Sequence, residues 1–321
     1  MQMSSTPTLH DSNNPLGRAM SVMTSSPLAD SRCRAMFSVR EYDLAATLTS
    51  GQAFRWQWEH DSWVGVVGEQ WVRLRSDNKS IIAETAEPVA GWHWLSDYLQ
   101  IEQDLNAVLA SFPNDEPMRA AVAASPGLRL LRQDPWECLA SFILSSSKQI
   151  VQIRQIIALL SERFGKPLLV PPGYAPAYTF PTPASLADRT EAGLRDCKMG
   201  FRAAYLLATA RAIASGQLHL GRLKSLTLEN AREELLKLPG VGRKIADCVL
   251  LFAYGFPTAF PVDVWMMKAL RELYFPRRRV GLSKLHHFAA THFGKNAGYA
   301  QQYLFHYRRV RTGRPPATSD C

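Results

Sequence analysis

Cysteine is scarce in this chain of 321 residues: five, at positions 33, 138, 197, 248 and 321, with no CxxC pair. That scatter argues against a disulfide framework or a zinc site and excludes a four-cysteine iron–sulfur cluster, and it fits a reducing compartment. Long apolar runs are missing too. Without a stretch of about 18 apolar residues, no segment reads as a membrane span. The first 35 residues lack the continuous apolar core of a signal peptide; their Ser, Thr, Pro and Asn content predicts disorder. Met20, Met23 or Met36 could be the true start. Acidic residues are also in deficit, 28 against 37 Lys plus Arg, for a net charge of +9. The surplus suits a polyanionic partner, nucleic acid before an anionic membrane.

What is present falls into two textures. Residues 63–86 alternate in the strand manner, as WVGVV, QWVRLR and SIIAET separated by turns. The upstream TLTSGQAFRWQW reads as a further strand, and 89–112 reads as helical. After residue 125 the spacing becomes helical, interrupted by a Pro-rich loop at 167–185. We therefore expect an α+β protein with an antiparallel-sheet domain over 36–124, a larger all-α domain over 125–311 and a short tail at 312–321. No internal repeat is evident.

The segment LPGVGRKIADCV (238–249) joins two helical stretches, so 227–254 reads as a helix–hairpin–helix. Gly240 and Gly242 are expected to take the positive φ of a tight reversal. Around Gly240, Val241 and Gly242, the unpaired N–H groups of the next helix could hold a phosphate. Lys244 falls in the first turn of that helix, where the macrodipole opposes a cation. Such a lysine reads as a nucleophile more readily than as packing. Cys248, four residues on, shares its face. Asp263, in PVDVW nineteen positions beyond Lys244, is suited to cap the following helix and to support developing positive charge.

With these residues in hand, the chain resembles the helix–hairpin–helix DNA glycosylase superfamily, and within it the 8-oxoguanine DNA glycosylases of the eukaryotic type. Five blocks carry the resemblance in order: SGQAFRW (50–56), LRLLRQDPWECLASFILSS (128–146), MGFRAAYL (199–206), LPGVGRKIADCVLLFA (238–253) and YAQQYLF (299–305). The resemblance implies removal of a flipped-out lesion base, with Lys244 attacking C1′ and Asp263 stabilising the transition state, followed by β-elimination. It implies that the Gly51 carbonyl tests N7 of the base, that Phe305 and Cys248 sandwich it, and that Gln301 bonds its Watson–Crick edge. Phe201 would wedge into the stack and Arg202 approach the estranged base. No metal or organic cofactor is implied. The expected partner is damaged double-stranded DNA, with no membrane, and the expected state is a monomer. The protein would be nuclear in a eukaryote and nucleoid-associated in the cytoplasm of a bacterium.

Three departures from the family pattern stand out. Ser147, Lys148 and Gln149 replace a run of asparagines, Gln152 replaces an arginine, and Trp265 replaces a histidine. The first two sites serve the orphaned cytosine, so weaker preference for cytosine is expected. Arg154 could substitute from a neighbouring position. Trp265 leaves one phosphate or active-site contact open, since its ring N–H cannot accept. Two other readings remain at this point: a glycosylase for alkylated purines, or a DNA-binding module without chemistry.

Overall fold

The computed structural model describes residues 32–77, 79–146 and 148–311. Five strands form one antiparallel sheet in the order β1-β5-β4-β3-β2. They are β1 (Arg34–Ser38), β2 (Gln57–Glu59), β3 (Ser62–Val67), β4 (Gln70–Ser76) and β5 (Ser80–Thr85). The boundary expected at residue 36 moves back, because Arg34 and Ala35 already pair with Glu84 and Ala83. Residues 1–31 and 312–321 lie outside the described residues.

A second expectation that fails is a strand through TLTSGQAFRWQW. Its first part is instead helix α1 (Leu44–Thr49), whose N-terminus is capped by Asp43 accepting from the Ala46 amide at 2.8 Å. Gly51 then turns the chain at φ +85°, and only Gln57–Glu59 joins the sheet. The expected helix over 89–112 divides into α2 (His93–Leu99) and α3 (Leu105–Leu109), because Gln100 adopts φ +54° and ends the first.

The remaining helices are α4 (Glu116–Ala124), α5 (Pro135–Leu144), α6 (Ile150–Phe164), α7 (Pro183–Ala187), α8 (Glu191–Leu194), α9 (Arg202–Ala214), α10 (Leu228–Leu236), α11 (Arg243–Val249), α12 (Val264–Tyr274), α13 (Leu282–His292) and α14 (Ala297–Arg311). Helix α5 starts where Asp134 caps it and Pro135 fills its first turn. It is apolar on nearly every face because it is central, packing against α6, α9 and α11.

Two apolar cores result. One lies under the sheet, around Trp56, Leu74, Ile81, Leu95 and Leu99; the other fills the helical part. Segment 128–131 stitches them together: Leu128 and Leu130 join the helical core and Leu131 the sheet core. Gln52, fully buried, pairs with this segment like a strand. Its amide donates to the Arg129 carbonyl at 2.8 Å and accepts from the Leu131 amide at 2.8 Å. The turn at Gly51 is thereby fixed against the helices.

Candidate active site and nucleic-acid interface

The hairpin between α10 and α11 turns on one left-handed glycine. Gly240 sits at φ +76°, and the Val241 amide donates to the Leu238 carbonyl at 3.2 Å. Gly242 corrects the sequence expectation: it is extended, at φ −94°, and serves as the N-cap of α11. Val241 is likewise turned inward, its side chain buried in the helical core and its N–H spent within the hairpin. The amides left pointing outward are those of the first turn of α11.

A buried ion pair braces this hairpin. Arg232 on α10 donates from Nε to Asp247 Oδ1 on α11 at 2.7 Å, and Arg243 stands 3.7 Å from Oδ2. Burial raises the Asp247 carboxyl above its ordinary range, against the pull of Arg232. The sequence reading did not single out this pair; Arg232 and Asp247 each look like ordinary helix-surface charges until α10 and α11 are folded together.

Lys244 emerges from the first turn of α11, half-buried. Its Nζ donates to Ser145 Oγ at 3.3 Å and lies 5.0 Å from the centre of the Phe142 ring. The Cys248 thiol below it is pushed up to about 12 by burial, opposed by Lys244 and reinforced by Asp263. The thiol thus feels the charge of both Lys244 and Asp263. Asp263 is the N-cap of α12: its Oδ1 accepts from the Met266 amide at 2.7 Å. Two residues on, Trp265 carries the Lys268 Nζ 5.7 Å from its ring centre.

Helix α14 carries two further expected site residues. Gln301 and Phe305 are one helical turn apart and share a face. Gln301 is buried, yet its Oε1 has no hydrogen-bond partner, an acceptor that a ligand can use. Phe305 adjoins Gly51 so closely that a methyl group there would lie 3.4 Å from its ring and 3.3 Å from Ile150 Cδ1 and Arg309 Nη1. The turn is anchored from α14 as well. Gln302 donates to the Ser50 carbonyl and Arg309 to the Thr49 carbonyl, both at 3.1 Å.

The turn after α5 meets the entry to α9, which carries Phe201 and Arg202. Phe201 follows Gly200, at φ +61°, and is more than half exposed. Arg202, expected to approach the estranged base, has its guanidinium turned into the protein. It is buried, donating to the Ser146 and Met199 carbonyls, with its guanidinium carbon 4.4 Å from the Phe201 ring centre. Gln152 is exposed and turned back on its own helix, its Oε1 accepting from the Gln149 amide at 3.1 Å in a capping box. Arg154 does not stand beside it. It lines a cavity of about 350 Å³ with Arg55, Trp71 and Tyr178, on the side facing the sheet. Ser147 lies outside the described residues.

A five-stranded sheet beside a helical body, with a lysine in the first turn after the hairpin and an aspartate capping the next long helix, is the architecture of the helix–hairpin–helix DNA glycosylases. Residues 34–139 match the family of the 8-oxoguanine DNA glycosylase N-terminal domain, and residues 140–287 match the HhH-GPD superfamily of base excision DNA repair proteins. The chain belongs to the 8-oxoguanine DNA glycosylase family. It is 32% identical over 317 residues to the N-glycosylase/DNA lyase of Saccharomyces cerevisiae, covering 83% of each chain. To that of Arabidopsis thaliana it is 31% identical over 282 residues, covering 83% of this chain and 77% of the plant protein. The solved structure of Clostridium acetobutylicum 8-oxoguanine glycosylase/lyase with double-stranded DNA containing cytosine opposite 8-oxoG has a TM-score of 0.80 at 32% identity, covering 88% of this chain and 99% of that one.

Proposed function

We propose that this protein removes 8-oxoguanine from duplex DNA and then cuts the strand at the sugar left behind. The observation that carries the reading is Lys244 in the first turn of the hairpin's second helix, with Asp263 capping α12 and both charges acting on Cys248, together with Gly51 against Phe305 and the unpartnered Gln301 Oε1. The lysine, as a neutral amine, attacks C1′ of the flipped nucleotide. The bond from C1′ to the base nitrogen breaks and the electron pair leaves with the base. Asp263 lowers the cost of the positive charge that builds on the sugar as that bond lengthens. Ring opening then gives a Schiff base between Lys244 and C1′. Loss of a proton from C2′ expels the 3′ phosphate, and water releases the lysine.

Base choice rests on N7. In 8-oxoguanine N7 carries a hydrogen, whereas in guanine it carries a lone pair. A carbonyl from Gly51 accepts from the first and repels the second, and the absent side chain lets the backbone approach. Gln301 offers its unpartnered Oε1 to the base edge. Phe305 and Cys248 supply the faces. On the DNA side, the first-turn amides of α11 take a phosphate, Phe201 fills the space the base vacates, and Arg202 shapes the turn at Ser146 from behind.

The opposite base is read loosely in this proposal. Gln152 uses its side-chain oxygen to cap α6, and Arg154 faces the sheet. The test joins both points: borohydride trapping and excision on duplexes carrying 8-oxoguanine opposite each of the four bases. Wild type should form a covalent complex and Lys244→Gln should form none. The ratio of rates opposite cytosine and adenine should be smaller than that of the yeast enzyme. Absence of trapping, or trapping by Lys244→Gln, would refute the mechanism. A release assay on 3-methyladenine DNA separates the alkylated-purine alternative.

A further inference from the structure

Phe201 does not project alone. Its ring meets Tyr205, one turn along α9, edge to face, with centroids 5.9 Å apart and planes at 80°. Its other neighbour is the Arg202 guanidinium at 4.4 Å, itself tied to the Ser146 carbonyl. Tyr205 in turn lies on the hairpin: a Cβ at Gly240 would fall 2.5 Å from its Cδ2 and 2.6 Å from its Cγ, closer than atoms can come. Gly240 is therefore glycine for two reasons, its positive φ and the ring above it.

We infer that Tyr205 is a positioning residue that couples the Phe201 wedge to the hairpin. The inference rests on the reading of Phe201 as the group that enters the base stack. An exposed phenylalanine on a bare turn would sample several rotamers, and holding one of them in the stack would cost entropy. Here the ring is flanked by Arg202 from the α5 side and by Tyr205 from the hairpin side, so its direction is set before DNA arrives. Because Tyr205 rests on Gly240, a shift of the hairpin as its amides engage a phosphate moves the surface on which the wedge leans. Backbone grip and wedge insertion then become one motion. The partner is duplex DNA with a base to extrude; the tyrosine touches neither the base nor the reacting sugar.

The experiment is a double-mutant cycle on the full chain. 2-Aminopurine placed beside the lesion brightens as the base leaves the stack, and single-turnover excision is followed in parallel. Tyr205→Ala should slow both by about 2- to 10-fold, the rate equivalent of one edge-to-face pair. Tyr205→Phe, which keeps the ring, should restore them. Phe201→Ala with Tyr205→Ala should be no slower than Phe201→Ala alone. Multiplying losses, or wild-type flipping in Tyr205→Ala, would overturn the coupling and leave the excision activity standing. No excision by the wild type removes that activity and the inference with it. If Tyr205→Ala lowers the unfolding temperature sharply, Tyr205→Leu keeps bulk over Gly240 without a ring edge and should show the same loss of flipping.

Discussion

Lys244 Nζ and Ser145 Oγ meet at 3.3 Å, joining the head of α11 to the turn that ends α5. The serine hydroxyl donates in turn to the Phe142 carbonyl at 2.7 Å, so its oxygen is aimed at the lysine by its own helix. The Lys244 amine, the proposed nucleophile, is thus held by a group from another element. Ser145→Ala should lower single-turnover excision about tenfold, since small misplacements of a reacting group cost rate steeply. Affinity for DNA carrying an uncleavable lesion analogue should stay within about twofold. An unchanged excision rate would show that the bond plays no part in aiming the amine.

Asp263 caps α12, and in the proposed reaction it also supports charge on the sugar; substitution separates the two tasks. Asparagine caps helices about as well as aspartate, while alanine does not. Asp263→Asn should therefore leave stability within about 0.5 kcal/mol, and Asp263→Ala should cost about 1 kcal/mol in denaturant unfolding. Both should lose excision on the order of a hundredfold, because both remove the carboxylate charge. Full activity in Asp263→Asn would reduce this residue to a cap.

The hairpin depends on the pair of Arg232 and Asp247. Removing the arginine leaves a buried carboxylate with only Arg243, at 3.7 Å, in reach. Arg232→Ala should destabilise the protein by about 3 kcal/mol, the usual cost of stripping one partner from a buried pair. Replacing both, as Arg232→Met with Asp247→Leu, should recover much of that loss. Chemical denaturation of the three variants distinguishes a buried pair from two independent surface charges.

His306 predicts an acid limit. Burial, with Arg309 nearby, lowers its imidazole from about 6.5 to about 4. Between those values the unfolded chain binds a proton that the folded chain refuses. Stability therefore falls as pH drops from about 6.5 toward 4, and this contribution is exhausted below 4. His306→Gln should flatten unfolding temperature against pH across that window. An unchanged slope would assign the acid sensitivity elsewhere.

Much of the site was legible one stretch at a time. The hairpin, its lysine and the capping aspartate each follow from local rules about turns and helix ends, and these rules act over a few residues. Strands β3, β4 and β5 were equally readable, because alternation with period two is a local pattern. The failures are local patterns overruled. TLTS looks strand-like in composition, yet Asp43 starts a helix there, and that helix buries Leu44 and Leu48 under the sheet. Gly242 looked like a second left-handed glycine, but one positive φ at Gly240 completes the reversal.

By itself, then, the order of residues determined the element types, the hairpin, the basic character and, through its resemblance to a family, the chemistry to expect. What folding alone decided is which distant groups meet. Ser145 finds Lys244 across 99 positions, and Gln302 holds Ser50 across 252. Arg202 withdraws into a buried bond while Phe201 beside it stays out. No periodicity encodes such meetings, because they arise from how apolar faces stack and from the need to pair every polar group that stacking buries.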